Sequence, residues 1–289
     1  MTVTPGGVSH DPSVLDLLGL PTAGDVYDLD PGRWPGMPIW AGHPPFQVMT
    51  YRTPNGIRVG GDQEWLNGQN NQVKVGLISE LMMGTNHTGS HVDALGHITI
   101  EDDSWHNGNT TDNLSDFGPT VGDAASMSPF ITRGLMVDVA AHLGVQRLAK
   151  SHPITLEEFQ GALDAQSLEV REGDVVLVRT GQMSVWPDKE KMAETIGAGI
   201  TREVAQYCVE RNVRGVGTDT EACEVMPSIE PGHPHPVHEV LLIRAGIHIF
   251  ENIYLEDLSH AKAGSFLFLA LPLKVVGATG SMLRPLAIA

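Results

Sequence analysis

Apolar and polar positions are irregular through the first third of the chain and periodic from about residue 150 onward. In "ITLEEFQGAL", Thr155 stands where a helix N-cap is expected, and Glu158 three residues on completes a capping box. That helix should end near Leu163. The unbroken apolar run in "GDVVLVRTG" predicts a strand buried on both faces. A second cycle follows, with Thr201 as the cap of "REVAQYCVER" and "VRGVGTDT" as a short strand. A third runs from "HEVLLIRAG" as helix to "IHIFEN" as strand. "SFLFLAL" and "KVVGATG" then read as two further strands, and "PLAIA" as a last one. Helix–strand alternation predicts an α/β domain, and the late strands without intervening helices predict a mixed central β-sheet flanked by helices.

The earlier part is harder to pattern. Residues 1–35 are rich in Gly, Pro and Asp and predict an irregular N-terminal arm, with a short helix at residues 15–18. "FQVMTYRT" alternates as a strand does, and the mostly apolar residues 73–83 suit either a strand or a short helix. Residues 101–113 read as a loop that turns at Asn107-Gly108. With no tandem repeat and no linker-like stretch, residues 36–289 are expected to form one domain. Neither G-x-G-x-x-G after a strand nor a Gly-rich Lys-Ser loop is present, so no common nucleotide signature appears, and "GATGS" reads as a turn.

Composition narrows the function classes. A chain of 289 residues with 41 % hydrophobic content can bury a large core without disulfides. A net charge of -17 disfavours nucleic acid and anionic membrane as partners. Cys208 and Cys223 imply buried thiols and no disulfide framework. No basic start with an apolar run and no long apolar span is seen, so the expectation is a cytoplasmic protein.

The candidate chemistry sits in "HTGSHVDALGH", residues 87–97. His87 and His91 are four apart, yet Gly89 lies between them and no glutamate follows His87, so a zincin helix is a poor fit. On an extended backbone His91 and Asp93, two apart, share one side of a strand. Gly89 would let the chain turn and bring His87 back to them. Two imidazoles and a carboxylate make a divalent-cation site with positions left for water and substrate. The mixed donors suit Mn2+ or Zn2+, with iron also open. His97 is expected as a fourth ligand or a proton carrier.

This stretch resembles the signature His-x-Gly-Thr-His-x-Asp-x-Pro-x-His of the cyclase family that includes bacterial kynurenine formamidase and isatin hydrolase. Ser90 replaces the threonine and Leu95 the proline. "MPIWAGHPPF", "GDVVLVRTG", "VRGVGTDT", "HEVLLIRAGIHIFEN" and "PLKVVGATGSMLRPLAI" follow in the family's order, so the resemblance spans roughly residues 27–289. It implies a cyclase-like swivelling β/β/α fold, with His87, His91 and Asp93 as metal ligands and His97 as the acid–base group. In the formamidase branch a histidine and a glutamate of the C-terminal half complete a two-metal site, and His238 and Glu251 resemble them. Isatin hydrolase is expected to use one manganese with a glutamine from this half, in the region of Glu224 and Glu221. The number of ions stays open between the two patterns.

The resemblance further implies hydrolysis of an amide C–N bond, with opening of a cyclic amide (a lactam or imide) as the expected reaction. A metal-dependent cyclase or dehydratase is the nearest alternative, and a non-catalytic metal-binding structural protein the bland one. The expected partner is an aromatic or heterocyclic small molecule, met by Trp40, Phe46 and Trp105, with Trp186 a further candidate. Asp219 is expected to orient a ligand imidazole. Self-association as a homodimer or larger homo-oligomer is implied by the family.

Overall fold

In the computed structural model the described residues are 19, 24–61, 63–66 and 68–289. The short helix expected at residues 15–18 lies outside them. Two compact units are present: residues 1–32 together with 86–289, and Arg33–Thr85.

The larger unit is built on a nine-stranded sheet. In chain order its strands are β1 (Val26–Asp28), β2 (His91–Asp93), β3 (Phe130–Asp138), β4 (Val175–Arg179), β5 (Gly215–Thr218), β6 (His248–Glu251), β7 (Ser265–Ala270), β8 (Gly280–Met282) and β9 (Leu286–Ile288). They lie in the order β1-β9-β7-β3-β4-β5-β6-β2-β8. Strands β3, β4, β5 and β6 are parallel neighbours, and every pairing outside that block is antiparallel. The fold is thus the mixed α/β sheet that the sequence pattern predicts.

The parallel block is covered on both faces, which is why β4 reads as a continuous apolar run. Val176 and Val178 enter one core with Phe159, Ala162, Val204 and Cys208. Val175 and Leu177 enter the other with Phe130, Phe250, Phe266 and Phe268. Helix α1 (Leu156–Ala165) buries Phe159, Ala162 and Leu163, one face at i, i+3, i+4 spacing, and its Thr155–Glu158 capping box forms in full. Helix α2 (Arg202–Glu210) buries Val204, Ala205 and Cys208, but its expected cap fails. Thr201 makes no side-chain capping bond, and its hydroxyl is buried without a partner. "HEVLLIRAG" is helical, with the turn Pro236–His238 continuing as the π-helix Glu239–Ala245.

"KVVGATG" is not a strand. Gly277 turns there at φ 79, and a side chain on it would meet the Phe117 carbonyl at 1.8 Å. Pairing resumes only at β8, and "PLAIA" supplies β9. Both cysteines are buried free thiols. No described helix is long and apolar enough to cross a membrane.

The Arg33–Thr85 unit holds a two-stranded antiparallel sheet, Gln47–Arg52 against Ser79–Met83, which settles the helix-or-strand ambiguity of residues 73–83. Its short helix Pro54–Gly60 is capped by Thr53, whose Oγ1 accepts from the Gly56 N–H at 3.0 Å.

Candidate metal centre

Strand β2 lies between β6 and β8 and lays out the site by register alone. Glu251 is directly opposite His91 on one side, and Gly280 directly opposite Asp93 on the other. His91 and Asp93, two apart, face the same way, as expected. Gly89 adopts φ 62, a left-handed turn that returns His87 to the strand, where its Nδ1 lies 2.8 Å from Asp93 Oδ1. Gly280 makes room for that ring, since a Cβ there would come within 2.6 Å of His87 Cε1. Ser90, in the signature's threonine position, places its Oγ 2.8 Å from the Asn252 carbonyl and 3.0 Å from that of Leu29. It thereby ties the turn to the chain just beyond β6.

His238 arrives from the other direction, at the junction of the Pro236–His238 turn with the π-helix, a distortion common at functional sites. Its Nε2 lies 3.6 Å from Asp93 Oδ2 and 3.5 Å from Glu251 Oε1. His91 Nε2 lies 3.5 Å from Asp93 Oδ1 and 3.3 Å from Glu251 Oε2. The two imidazoles and two carboxylates therefore close a ring, with all four side chains buried.

His87, His91 and His238 each have the far nitrogen committed elsewhere. His91 Nδ1–H donates to the Gly89 carbonyl at 2.8 Å, His87 Nε2 meets Thr279 Oγ1 at 3.0 Å, and His238 Nδ1 bonds Glu224 Oε1. Such outer bonds fix the tautomer and aim the other nitrogen. The near nitrogens of His87, His91 and His238 all point at one carboxylate, His87 as a hydrogen-bond partner and the other two at 3.5 and 3.6 Å, a separation that leaves room for a cation. His91 Nε2 and Asp93 Oδ2 are buried without a hydrogen-bond partner. Donors about 2.1 Å from a tetrahedral ion stand about 3.4 Å apart, which the spacings around the ring match. Among the described residues, His91, Asp93 and Glu251 form one group able to hold an ion, and His87, Asp93 and His97 another.

The electrostatics agree. Burial opposes a charge on Asp93, but His97, His238 and His87 surround it and hold it well below the ordinary carboxylate value. Burial likewise acts against protonated His238, but the Glu224 charge and bonds to Asp93, Glu224 and Glu251 hold it well above its usual value. His91 is raised, with Glu251 and Asp93 outweighing its burial. His97 stacks on His87 at 4.0 Å with 26° between the rings, and burial pulls it down to about 4.

Glu224 stands behind His238. Its Oε1 accepts from His238 and from His235 Nδ1 at 2.9 Å, and its Oε2 from the Val237 N–H at 2.7 Å. Burial would raise it, but the His238 charge and these bonds hold it at about 2. The stabilisation is therefore present above pH 4.5 and lost as pH falls towards 2. Replacing Glu224 with glutamine should lower divalent-ion affinity by about 10–100-fold by releasing the His238 ring. Calorimetric titration of the folded variant checks this, and unchanged affinity would remove Glu224 from the centre.

Glu221 accepts from Gln182 Nε2 at 2.8 Å and is raised by burial. Asp219 orients no imidazole. It accepts from the Thr180 N–H at 2.8 Å, the Thr180 hydroxyl at 2.7 Å and the Gly181 N–H at 2.8 Å, clamping the loop after β4. Trp105 is buried, and its indole N–H donates to the Val121 carbonyl at 3.1 Å. Trp186 is half-buried. Phe46 and Trp40 belong to the Arg33–Thr85 unit, the first buried and the second 52 % exposed against His43. Sequence reasoning missed His235, Thr279 and Gly280. Only the dense "HPHPVH" hinted at the first, and nothing in "GATGS" marked the other two.

Residues 27–225 match the family model described as "Putative cyclase". The chain is 28 % identical over 250 residues to a kynurenine formamidase of Geobacillus thermodenitrificans (strain NG80-2), covering 86 % of this chain and 90 % of that one. Among solved structures it is similar to one described as a novel cyclase, with a TM-score of 0.82, 23 % identity and 97 % and 94 % of the two chains covered. It is also similar to isatin hydrolase A from Ralstonia solanacearum, with a TM-score of 0.65, 20 % identity and 97 % and 99 % covered. With more than half of its length matched by the family model, and its histidine-rich segment inside the matched span, this chain belongs to the cyclase family.

Proposed function

We propose that this protein is a metal-dependent hydrolase that opens a cyclic amide, a lactam or imide on an aromatic or heterocyclic skeleton. The observation that carries the reading is the convergence of the near nitrogens of His87, His91 and His238 on the buried carboxylate of Asp93, closed by Glu251. His87, His91, Asp93, His238 and Glu251 would hold the ion, and their mixed nitrogen and oxygen donors suit Mn2+ or Zn2+. When bound, a divalent ion lowers the pKa of water and polarises a carbonyl oxygen. Glu224, expected as a ligand, is better placed to orient His238, since both of its oxygens accept hydrogen bonds, although with His235 and His238 it also forms a group able to hold an ion.

His97 supplies the proton traffic. With its pKa pulled down to about 4, its imidazole is neutral at pH 7 and can accept a proton from the attacking water. Once protonated, the same ring is more acidic than an ordinary imidazolium and can return the proton to the departing nitrogen. The kynurenine formamidase and isatin hydrolase relatives support a C–N bond as the one broken.

A pH-stat assay tests this reading. The protein reconstituted with Mn2+ or Zn2+ is expected to release one carboxylic acid per ring opened from aromatic lactams or imides, and chelation should abolish the release. Failure on every cyclic amide, with ion-dependent ring closure or dehydration of the open acids instead, would transfer the site to the cyclase reading.

A further inference from the structure

We infer, on the reading of the centre as a cyclic-amide hydrolase, that Gln182 recognises the ring N–H of the substrate and selects lactams and imides over their N-alkylated counterparts. Three polar side chains sit at the carboxyl ends of neighbouring parallel strands. Gln182 stands three residues after β4, Glu221 three residues after β5, and Glu251 ends β6. That edge is where open α/β sheets bind their ligands. The Asn252 N–H donates to the Thr220 carbonyl at 2.9 Å, which fastens the residue before Glu221 to the residue after Glu251. Burial raises Glu221, and the Glu251 charge adds to the rise, as expected of carboxylates on adjoining strand ends. Glu221 in turn accepts from Gln182 Nε2 at 2.8 Å. Gln182 is thus separated from the metal centre by one intervening side chain.

The amide of Gln182 is held in place but only half used. A carboxylate offers acceptors alone, so the amide nitrogen must face Glu221 and the amide oxygen is turned away from it. Gln182 is 1 % exposed, and its Oε1 is buried with no hydrogen-bond partner among the described residues. The backbone beneath is pinned as well. The Gln182 N–H donates to Thr180 Oγ1 at 3.2 Å, and Asp219 holds Thr180 and Gly181 through three further bonds. A buried acceptor left unpaired is costly, and where a native structure keeps one it calls for a reason. Here the oxygen is aimed by its own amide and supported from below, so it waits for a donor from outside the chain.

The donor that suits a neutral amide oxygen is an N–H. In a lactam or imide that N–H adjoins the carbonyl whose C–N bond is to break. One hydrogen bond to Gln182 therefore orients the ring with respect to the centre. A lactone puts an oxygen at that position and an N-alkyl imide a carbon, and either leaves the buried acceptor unpaired. Sites built to bond a ligand's N–H reject the analogue without it for this reason.

Calorimetry of the full chain in buffer containing Mn2+ or Zn2+, with phthalimide and N-methylphthalimide as probes, reads the affinity of each, or its KM where ring opening sustains the heat. Phthalimide should be favoured about tenfold or more. Gln182→Met keeps the length of the side chain while removing the oxygen, so it should bring the two probes level. Exclusion of the methyl group by bulk alone would leave the ratio as it was, and a purely structural Gln182 would weaken both probes alike. If Gln182→Met loses the wild-type circular dichroism spectrum, Glu221→Gln takes its place, because it lets the Gln182 amide turn either way and should reduce the same ratio. Equal handling of the probes by the wild type, as when only an ordered water meets Gln182 Oε1, would overturn the inference. So would binding of neither probe, or a ratio that survives in the folded variant. Selective binding with no acid released would leave the N–H recognition standing and remove the hydrolytic reading instead.

Discussion

Asparagine at position 93 is expected to strip the folded protein of its divalent ion and to lower turnover by about a thousandfold or more, a loss of about 4 kcal/mol of transition-state stabilisation. Asp93 is fully buried, and each of its oxygens faces an imidazole nitrogen, His87 and His91 on Oδ1 and His238 on Oδ2. An amide keeps the shape of the carboxylate but removes its charge, and it puts N–H donors where an ion would need a lone pair. What remains around the ion is Glu251 and imidazoles whose orientation assumed the missing charge. Metal analysis of the purified variant beside its kcat reads both effects. Full ion content with turnover within tenfold of wild type would show that Asp93 is only a structural partner of His87.

Removal of His97 should do the opposite to the ion and nearly as much to the chemistry. His97→Ala is expected to retain the metal and lower kcat by about 10²–10⁴, the usual contribution of a positioned proton-transfer group. Its ring stacks on His87 and has its centroid 6.2 Å from that of His238, beside the donor ring. An unperturbed imidazole titrates near neutrality. Burial instead pulls His97 down to about 4, against the attraction of Asp93. The working, unprotonated base is therefore lost only as pH falls towards 4, so His97 itself should put no acid limb on the wild-type rate near neutrality. An acid limb near 6.5 that vanished in His97→Ala would contradict the burial assigned to this ring. Unchanged kcat in the variant would remove it from proton transfer.

The elements most legible in the sequence were those whose physics is local. The capping box of Thr155 and Glu158, the apolar run of β4 and the turn at Gly89 each depend on residues within a few positions of one another. The same holds for His91 and Asp93, whose shared side follows from a spacing of two. His238 and Glu251 entered through family likeness, and the structure brings both to Asp93. Strand β8 escaped notice because three residues are too few to show an alternation, and its role is set by β2, almost 190 positions earlier in the chain. Thr279 and Gly280 were invisible for that reason. Thr201 misled because its hydroxyl is buried without a partner while its N–H bonds Ile154, so tertiary contacts at that end of α2 override local capping chemistry. Asp219, expected to orient an imidazole, instead binds Thr180 and Gly181, a loop partnership that its position in the sequence does not mark.

The centre itself is tested most directly by titrating the chelator-treated, folded protein with Mn2+ and with Zn2+ in a calorimeter, alongside His91→Ala. The wild type should bind at least one of the two ions at a stoichiometry fixed by the centre, and His91→Ala should lose that binding while keeping its fold. A folded wild type that binds neither ion, or a His91→Ala protein that binds as tightly as wild type, would contradict the claim that these imidazoles and carboxylates exist to hold a cation.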